Sequence, residues 1–377
     1  MIRVLIVDDS VVFRKILQEA LSKHPKIKVV GTATNGREGL QKIRVLKPDV
    51  TVLDVEMPQM DGLTTLEAIK KQKLSTVVIM FSTLTSQGAQ TTLEALQKGA
   101  ADFVPKPSGT GAFAQSVKTI QEQLIPKIVA LGNSSSRQAA VANIAKSFAS
   151  IPKCRNLQKE TRGAQQEAAH SQRASRARPL LKRPAKIEAV AIGVSTGGPN
   201  ALNHVVPMFP ANFKLPIFIV QHMPPVFTAQ LAARLDNRSK LTVVEATNGM
   251  KVTGGTVYIA PGDYHMTVAR QNAHYVIRLN QDPPENSCRP AVDVLFRSLA
   301  NAYGNRVIAT VMTGMGKDGL KGSEELKKKG ALILAQDKET STVWGMPKFV
   351  TEAGLADRVV PLKAITPTIL ELAGHRY

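Results

Sequence analysis

The chain opens with apolar runs that alternate with segments whose apolar positions fall three and four residues apart. Residues Ile2–Val7 (IRVLIV) are mostly apolar and stop at Asp8 and Asp9. Such a run suits a strand covered on both faces of a parallel sheet. Val12, Ile16, Leu17, Ala20 and Leu21 then recur at helical spacing. The alternation continues through KVVGTA, a helix containing Leu40 and Ile43, the strand DVTVLD, a helix near 63–69, the strand TVVIMFS, a helix near 91–98, the short strand DFVPKP and a helix running to about Ala130. Five strand–helix units with short connections predict a doubly wound α/β domain over residues 1–130.

Over 131–186 the periodicity is lost. Ser, Gln, Ala and Arg dominate, large apolar residues are few, and a flexible linker is expected. The strand–helix rhythm resumes at Glu188 with AVAIGVS and runs to the end of the chain. HMTVAR and HYVIRLN, joined through 271–273, read as a hairpin. A second, mainly parallel α/β domain with an antiparallel insertion is predicted over 187–377.

Composition changes this picture little. A chain of 377 residues with 43% hydrophobic and 21% charged residues can build two ordinary cores. The net charge of +20 raises the question of nucleic acid, but residues 127–186 hold 13 Lys and Arg against 2 Asp and Glu. More than half of the excess therefore lies in the expected linker, where charge keeps a chain solvated, and no nucleic-acid partner is expected. There is no apolar run of the roughly 18 residues needed to cross a bilayer, and the N-terminus lacks the pattern of a secretory signal. A cytoplasmic protein without direct membrane insertion is expected. Cys154 and Cys288 show no metal or redox spacing and read as ordinary thiols.

Two sets of residues fall at strand ends. In the first half, Asp8 and Asp9 end the first strand, Asp54 ends the third, Thr83 follows the fourth and Lys106 follows the fifth. The carboxyl ends of an open parallel sheet line one crevice. Clustered carboxylates there call for a cation, and oxygen ligands such as Asp9 and Asp54 suit Mg²⁺. The metal and Lys106 together can neutralise a phosphoryl group moving onto Asp54. VDDS, LDVEMPQMDG, FSTLT and GAADFVPKP resemble the receivers of two-component response regulators over residues 1–125. The resemblance implies that Asp54 is the phosphorylated residue, Asp8 and Asp9 the acid pocket, Thr83 the conformational switch and Lys106 the phosphate contact.

In the second half, Ser195 follows a strand within AIGVSTGGP, with glycines at 193, 197 and 198 and Pro199 at the expected helix start. That is a G-x-S-x-G elbow, which exposes a hydroxyl beside helix amides. Among five histidines in this half, His222 ends the strand of PIFIVQHM, and Asp318 lies in the glycine-rich turn MTGMGKDG after another strand. A serine needs a base and the base an orienting acid, and all three positions fall over one crevice. GVSTGGP, VQHMPP, YIAPGDYHM, RPAVDVLF, TGMGKDG and WGMP together resemble the protein-glutamate methylesterase domain of chemotaxis systems over 187–375. The resemblance implies Ser195 as nucleophile, His222 as base and Asp318 as orienting acid, with oxyanion donors near Thr196 and in the Met315–Gly316 turn. It implies removal of methyl groups from receptor glutamates, deamidation of receptor glutamines, methyl-accepting chemoreceptors as substrates, and a chemotaxis histidine kinase as phosphodonor. Ester hydrolysis is expected to need no cofactor. Asp263 and His265 belong to the pattern without an assigned role.

Three other readings have distinct signatures. An α/β-hydrolase order would use Ser195, Asp357 and His375. A DNA-binding output would be mostly helical. A receiver-linked adaptor would lack the triad. A receiver ahead of an enzyme predicts a switch in which the unphosphorylated receiver covers the Ser195 crevice.

Overall fold

The computed structural model describes residues 1–107, 113–132 and 186–375. The linker expected over 131–186, apart from its ends, and Cys154 lie outside the described residues. The receiver half carries β1 (Ile2–Val7), α1 (Val11–Ser22), β2 (Ile27–Ala33), α2 (Gly36–Leu46), β3 (Val50–Asp54), α3 (Gly62–Lys71), β4 (Val77–Ser82), α4 (Ser86–Gln97), β5 (Asp102–Pro105) and α5 (Phe113–Gly132). Its sheet is wholly parallel, in the order β2-β1-β3-β4-β5. The helical face read from spacing is the buried one: Ile16, Leu17, Ala20 and Leu21 are the buried residues of α1. Polar loop residues start the helices. The side chains of Ser10, Asn35, Asp61 and Thr85 each accept a backbone N–H of the first turn of α1 to α4, satisfying donors that a helix start leaves open. The Thr85 cap starts α4 at Ser86, five residues before the expected position, because the first turn of that helix is polar and carries no apolar periodicity.

The second half carries β6 (Ala189–Val194), α6 (Gly198–Val205), β7 (Ile217–Gln221), α7 (Phe227–Asp236), β8 (Thr242–Glu245), β9 (Thr256–Ile259), β10 (His265–Gln271), β11 (His274–Asn280), α8 (Val292–Tyr303), β12 (Val307–Val311), α9 (Leu320–Lys328), β13 (Leu332–Gln336), α10 (Met346–Glu352), β14 (Arg358–Val360) and α11 (Ile365–Leu372). Its seven-stranded sheet runs β14-β13-β12-β6-β7-β9-β8, every pairing parallel, while β10 and β11 form a separate antiparallel hairpin. The strand order reverses around β6, whose neighbours are β7 and β12. Ligands of open α/β sheets bind outside such a reversal. α10 and β14 do not stand out in the sequence pattern. They are only seven and three residues long, and the residues of β14 are not buried.

The two halves share an apolar boundary. α4 and β5 of the receiver face α6 and α7, and one apolar cluster runs from Leu96 and Phe103 into Phe227 and Leu231. The rings of Phe103 and Phe227 stack 4.5 Å apart and 9° from parallel. Arg234 of α7 donates to Gln97 at the end of α4, and Asn200 of α6 reaches the carbonyl of Ala100 at 3.5 Å. Val343 of the second half packs against the core of the receiver.

Phe227 is fully buried at this boundary. Phe227→Ala is expected to cost about 3–5 kcal/mol, the usual range for a fully buried phenylalanine, read as a lowered calorimetric transition of the full-length chain. A loss below about 1 kcal/mol would mean that the ring is not packed as described.

Candidate active site and phospho-acceptor pocket

At the carboxyl edge of the receiver sheet, the oxygens of Asp8, Asp9 and Asp54 lie within 4.8 Å of one another. Asp8 and Asp54 are buried and Asp9 is exposed. Lys106 Nζ stands 2.7 Å from Asp54 Oδ2 and 3.0 Å from Asp8 Oδ2. Lys106 bridges the two acids and leaves their oxygens lone pairs for another cation. Burial, then the charge of Asp8, pushes the Asp54 carboxyl up to about 6 against the pull of Lys106. Burial raises Asp8 as well. Hard oxygen donors with lone pairs to spare, in a pocket short of positive charge, fit Mg²⁺. Thr83 is half-buried and its hydroxyl lies 3.2 Å from Thr85 Oγ1. The same hydroxyl abuts α4, since a Cβ at Gly88 would sit 2.7 Å from it.

In the second half the register sets Val194 beside Gln221 and Val311 beside Gly193. Ser195, His222 and the loop that carries Asp318 therefore leave three adjacent strands at one edge. The Ser195 elbow is stitched to the loop after β12. Ser195 N donates to Thr313 O at 3.0 Å, and Thr313 Oγ1 donates to Thr196 O at 2.9 Å. Gly197 takes φ 76°, where a Cβ would also collide with Thr342 at 2.5 Å. Gly314 lies against the nucleophile position: a Cβ there would come within 2.9 Å of Ser195 Cβ. Thr196 follows Ser195 directly, and Gly314 brings to its side the loop that continues into Met315 and Gly316.

His222 Nε2 lies 2.8 Å from Asp318 Oδ2. Nδ1 therefore is the nitrogen left for other work. Among the described residues no hydrogen bond joins Ser195 Oγ to the ring, and Nδ1 meets Cys288 Sγ at 3.5 Å. Cys288 is a free thiol, as expected, but it lies against the ring. Burial disfavours charge on the His222 ring, but the Cys288 charge and the hydrogen bonds to Asp318 and Cys288 outweigh it and raise its proton affinity.

Asp318 is saturated with donors. Oδ2 accepts from His222 and from Val292 N at 2.7 Å; Oδ1 accepts from Asp293 N, Gly319 N and Asn286 Nδ2, each at 3.0 Å. Two of these amides open α8, so the carboxylate also sits at the positive end of a helix. Burial would raise this acid, but the hydrogen bond and charge of His222 and the amides hold it below its ordinary value. A second acid, Asp293, lies behind it. Its oxygens accept from Gly322 N at 2.6 Å and Asn286 Nδ2 at 2.9 Å. Burial and then the charge of Asp318 push Asp293 up to about 6.

The remaining residues singled out in the sequence have plain roles. Asp263 pairs with Arg289 at 2.6 Å. His265 is buried between Ala291 N and Pro283 O. Asp357 binds Lys327 and Ile333 N at the start of β13, the opposite edge of the sheet from Ser195, so the order Ser195–Asp357–His375 is not assembled. Nothing in the sequence pattern singles out Asn286 or Asp293. Asp293 lies within the motif RPAVDVLF, but its spacing from Asp318 carries no local signal of contact.

Residues 190–369 match the CheB methylesterase family and residues 4–118 the response regulator receiver domain. A protein-glutamate methylesterase/protein-glutamine glutaminase of a Nocardioides species is 46% identical over 374 residues, covering 98% of this chain and 94% of its own length. The proteins of the same name from Trichodesmium erythraeum and Pyrococcus abyssi are 43% and 42% identical; they cover 99% and 98% of this chain and 99% and 93% of their own lengths. No helix among the described residues is long and apolar enough to cross a membrane. A receiver sheet and a hydrolase-like sheet, each with polar residues gathered at one edge and matched along nearly its whole length by such relatives, make this chain a member of the protein-glutamate methylesterase/protein-glutamine glutaminase family.

Proposed function

We propose that the chain is a phosphorylation-activated serine esterase that removes methyl groups from methylglutamates of chemoreceptors and deamidates receptor glutamines, giving adaptation in chemotaxis-type signalling. It acts in the cytoplasm, takes its phosphoryl group from a chemotaxis histidine kinase, and needs neither nucleic acid nor membrane insertion. The observation that carries the reading is the His222–Asp318 pair held one strand from Ser195 at the reversal of the sheet.

The chemistry follows from the ring orientation. Asp318 keeps a proton on Nε2, so Nδ1 takes the proton of Ser195 as its oxygen attacks the ester carbonyl. Backbone amides of Thr196 and of the Met315–Gly316 turn face the oxyanion. The imidazolium returns its proton to the departing methoxide, methanol leaves, and water attacks the acyl-serine by the same proton route. Ammonia leaves in the same way from a glutamine. No cofactor enters these steps. In the receiver, Asp9 and Asp54, beside Asp8, would hold Mg²⁺, which supplies charge neutralisation for phosphoryl transfer. Asp54 acts as nucleophile and Lys106 contacts the phosphoryl oxygens.

Regulation has a short route. Thr83, drawn toward a phosphoryl group on Asp54, withdraws from its contact with Gly88 in the first turn of α4. α4 packs against α6 and α7, the helices that follow Ser195 and His222. The unphosphorylated receiver then blocks a bulky receptor helix, and phosphorylation loosens the boundary.

Ser195→Ala is expected to abolish methanol release from methylated receptor without lowering the melting temperature, and Asp318→Asn to lower turnover on the order of 10⁴-fold. Wild-type release by the first variant, or a loss below about tenfold in the second, would reject these roles.

The pH dependence has a definite sign. A raised His222 proton affinity keeps the base protonated at neutral pH, so kcat/KM climbs as pH rises through its titration. Cys288→Ala removes the sulfur that lies against Nδ1 and is expected to move that limb to lower pH. An unmoved limb would show that the thiol does not act on the ring.

Asp54→Asn is expected to block Mg²⁺-dependent incorporation of phosphoryl from a small acyl-phosphate donor. Arg234→Ala, which weakens the α4–α7 boundary, is expected to raise methanol release by the unphosphorylated chain, within the roughly 5–150-fold range of such couplings. Fragment 187–377 is expected to exceed the unphosphorylated whole chain as well. Basal rates unchanged in both would exclude steric inhibition.

A further inference from the structure

The turn Glu285–Cys288 touches two members of the triad: Asn286 reaches Asp318, and Cys288 Sγ lies 3.5 Å from His222 Nδ1. It closes on itself, Glu285 N donating to Cys288 O at 3.1 Å and Cys288 N to Glu285 O at 2.9 Å. Its two central residues, Asn286 and Ser287, take φ 53° and 61°. A turn with both central residues left-handed is best served by glycine, with asparagine next. Arg297 of α8 anchors it through a forked pair with Glu285 at 2.8 and 2.5 Å.

From this turn Asn286 Nδ2 reaches Asp318 Oδ1 at 3.0 Å and Asp293 Oδ2 at 2.9 Å. A carboxamide nitrogen has two hydrogens, so one is available to each acid. The orientation of the amide is dictated by its surroundings, because its oxygen would repel both carboxylates. Glycine at 286 would relieve the backbone, so the turn itself does not call for this side chain. Without the amide, two buried carboxylates would face each other with no side-chain donor between them, and Asp318, held only by His222 and backbone amides, would be freer to rotate its oxygens away from the ring.

We propose that Asn286 is a positioning residue of the esterase. Its amide ties Asp318 to Asp293 and so keeps Oδ2 on Nε2 of His222, which leaves Nδ1 turned toward the nucleophile. The assignment rests on the Ser195–His222–Asp318 reading above. Asn286 touches neither nucleophile nor ester, so its effect should appear in turnover and not in substrate affinity.

The test uses the phosphorylated full-length chain with methylated receptor as substrate. Asn286→Gly keeps the left-handed backbone and removes the amide, whereas Ser287→Gly relaxes the same turn and leaves the amide in place. Asn286→Gly is expected to lower kcat roughly 10–100-fold, the usual cost of a small misplacement of a catalytic group, with KM unchanged. The low-field proton resonance of His222 Nε2–H is expected to shift or broaden. Ser287→Gly should leave kcat, KM and that resonance as they are. A kcat within about threefold of wild type in Asn286→Gly overturns the proposal, and so does an equal loss in Ser287→Gly. If Asn286→Gly does not melt cooperatively, Asn286→Asp replaces it. The charged groups around that position are Asp293, Asp318, Glu285, Arg297 and His222. The defect of Asn286→Asp relative to wild type should shrink as pH falls, because the protonated carboxyl regains one donor; a defect independent of pH overturns the proposal. An esterase that survives Ser195→Ala would instead sink the underlying triad, while one that needs Ser195 but ignores Asn286 sinks only this inference.

Discussion

Carboxylates buried at the carboxyl edge of a parallel sheet are the constraint on which both halves of this protein depend. Asp8 and Asp54 in one sheet, and Asp293 and Asp318 in the other, are each at most 2% exposed. An uncompensated buried charge costs several kcal/mol, and the two halves compensate differently. The receiver supplies one lysine and leaves lone pairs open. Asp54 is therefore hungry for positive charge and free to react. The second half gives Asp318 five hydrogen-bond donors. That acid has little capacity left for chemistry of its own, which fits the orienting role proposed for it.

The same contrast explains how one architecture serves two tasks. Both sheets place their sites at a reversal of strand order, where neighbouring loops diverge and open a crevice. In the receiver the crevice borders α4 through Thr83 and Gly88. In the second half it borders the helices on which α4 rests. The path proposed from phosphoryl group to esterase thus crosses one hydroxyl, one helix and one apolar boundary. Packed elements of this kind shift between discrete arrangements rather than deform continuously, which suits a switch.

The ring orientation of His222 is a further consequence of the saturated acid. Asp318 offers the histidine only Oδ2, and it does so to Nε2. The nitrogen nearer the backbone is then the one left for the proposed nucleophile, and it shares its surroundings with Cys288. The thiol reaches the ring although it belongs to no recognisable cysteine motif.

The sequence by itself determined the strand–helix alternation, the two sheets and the residues at their strand ends. Those signals are local: a buried strand is a short apolar run, its end is marked by the first polar residues, and an elbow serine announces itself by its glycines. Asp8, Asp54, Lys106, Ser195, His222 and Asp318 were legible for that reason, and family resemblance supplied roles that spacing alone could not. Only the tertiary structure decided what lies behind them. Asn286 and Asp293 are 32 and 25 residues from Asp318, Cys288 is 66 from His222, and Gln97 is 137 from Arg234. No periodicity joins positions so far apart. Their meeting depends on the order in which strands enter the sheet, on a left-handed turn that aims one amide and one thiol inward, and on two apolar faces closing over each other, none of which leaves a mark in the residues on either side.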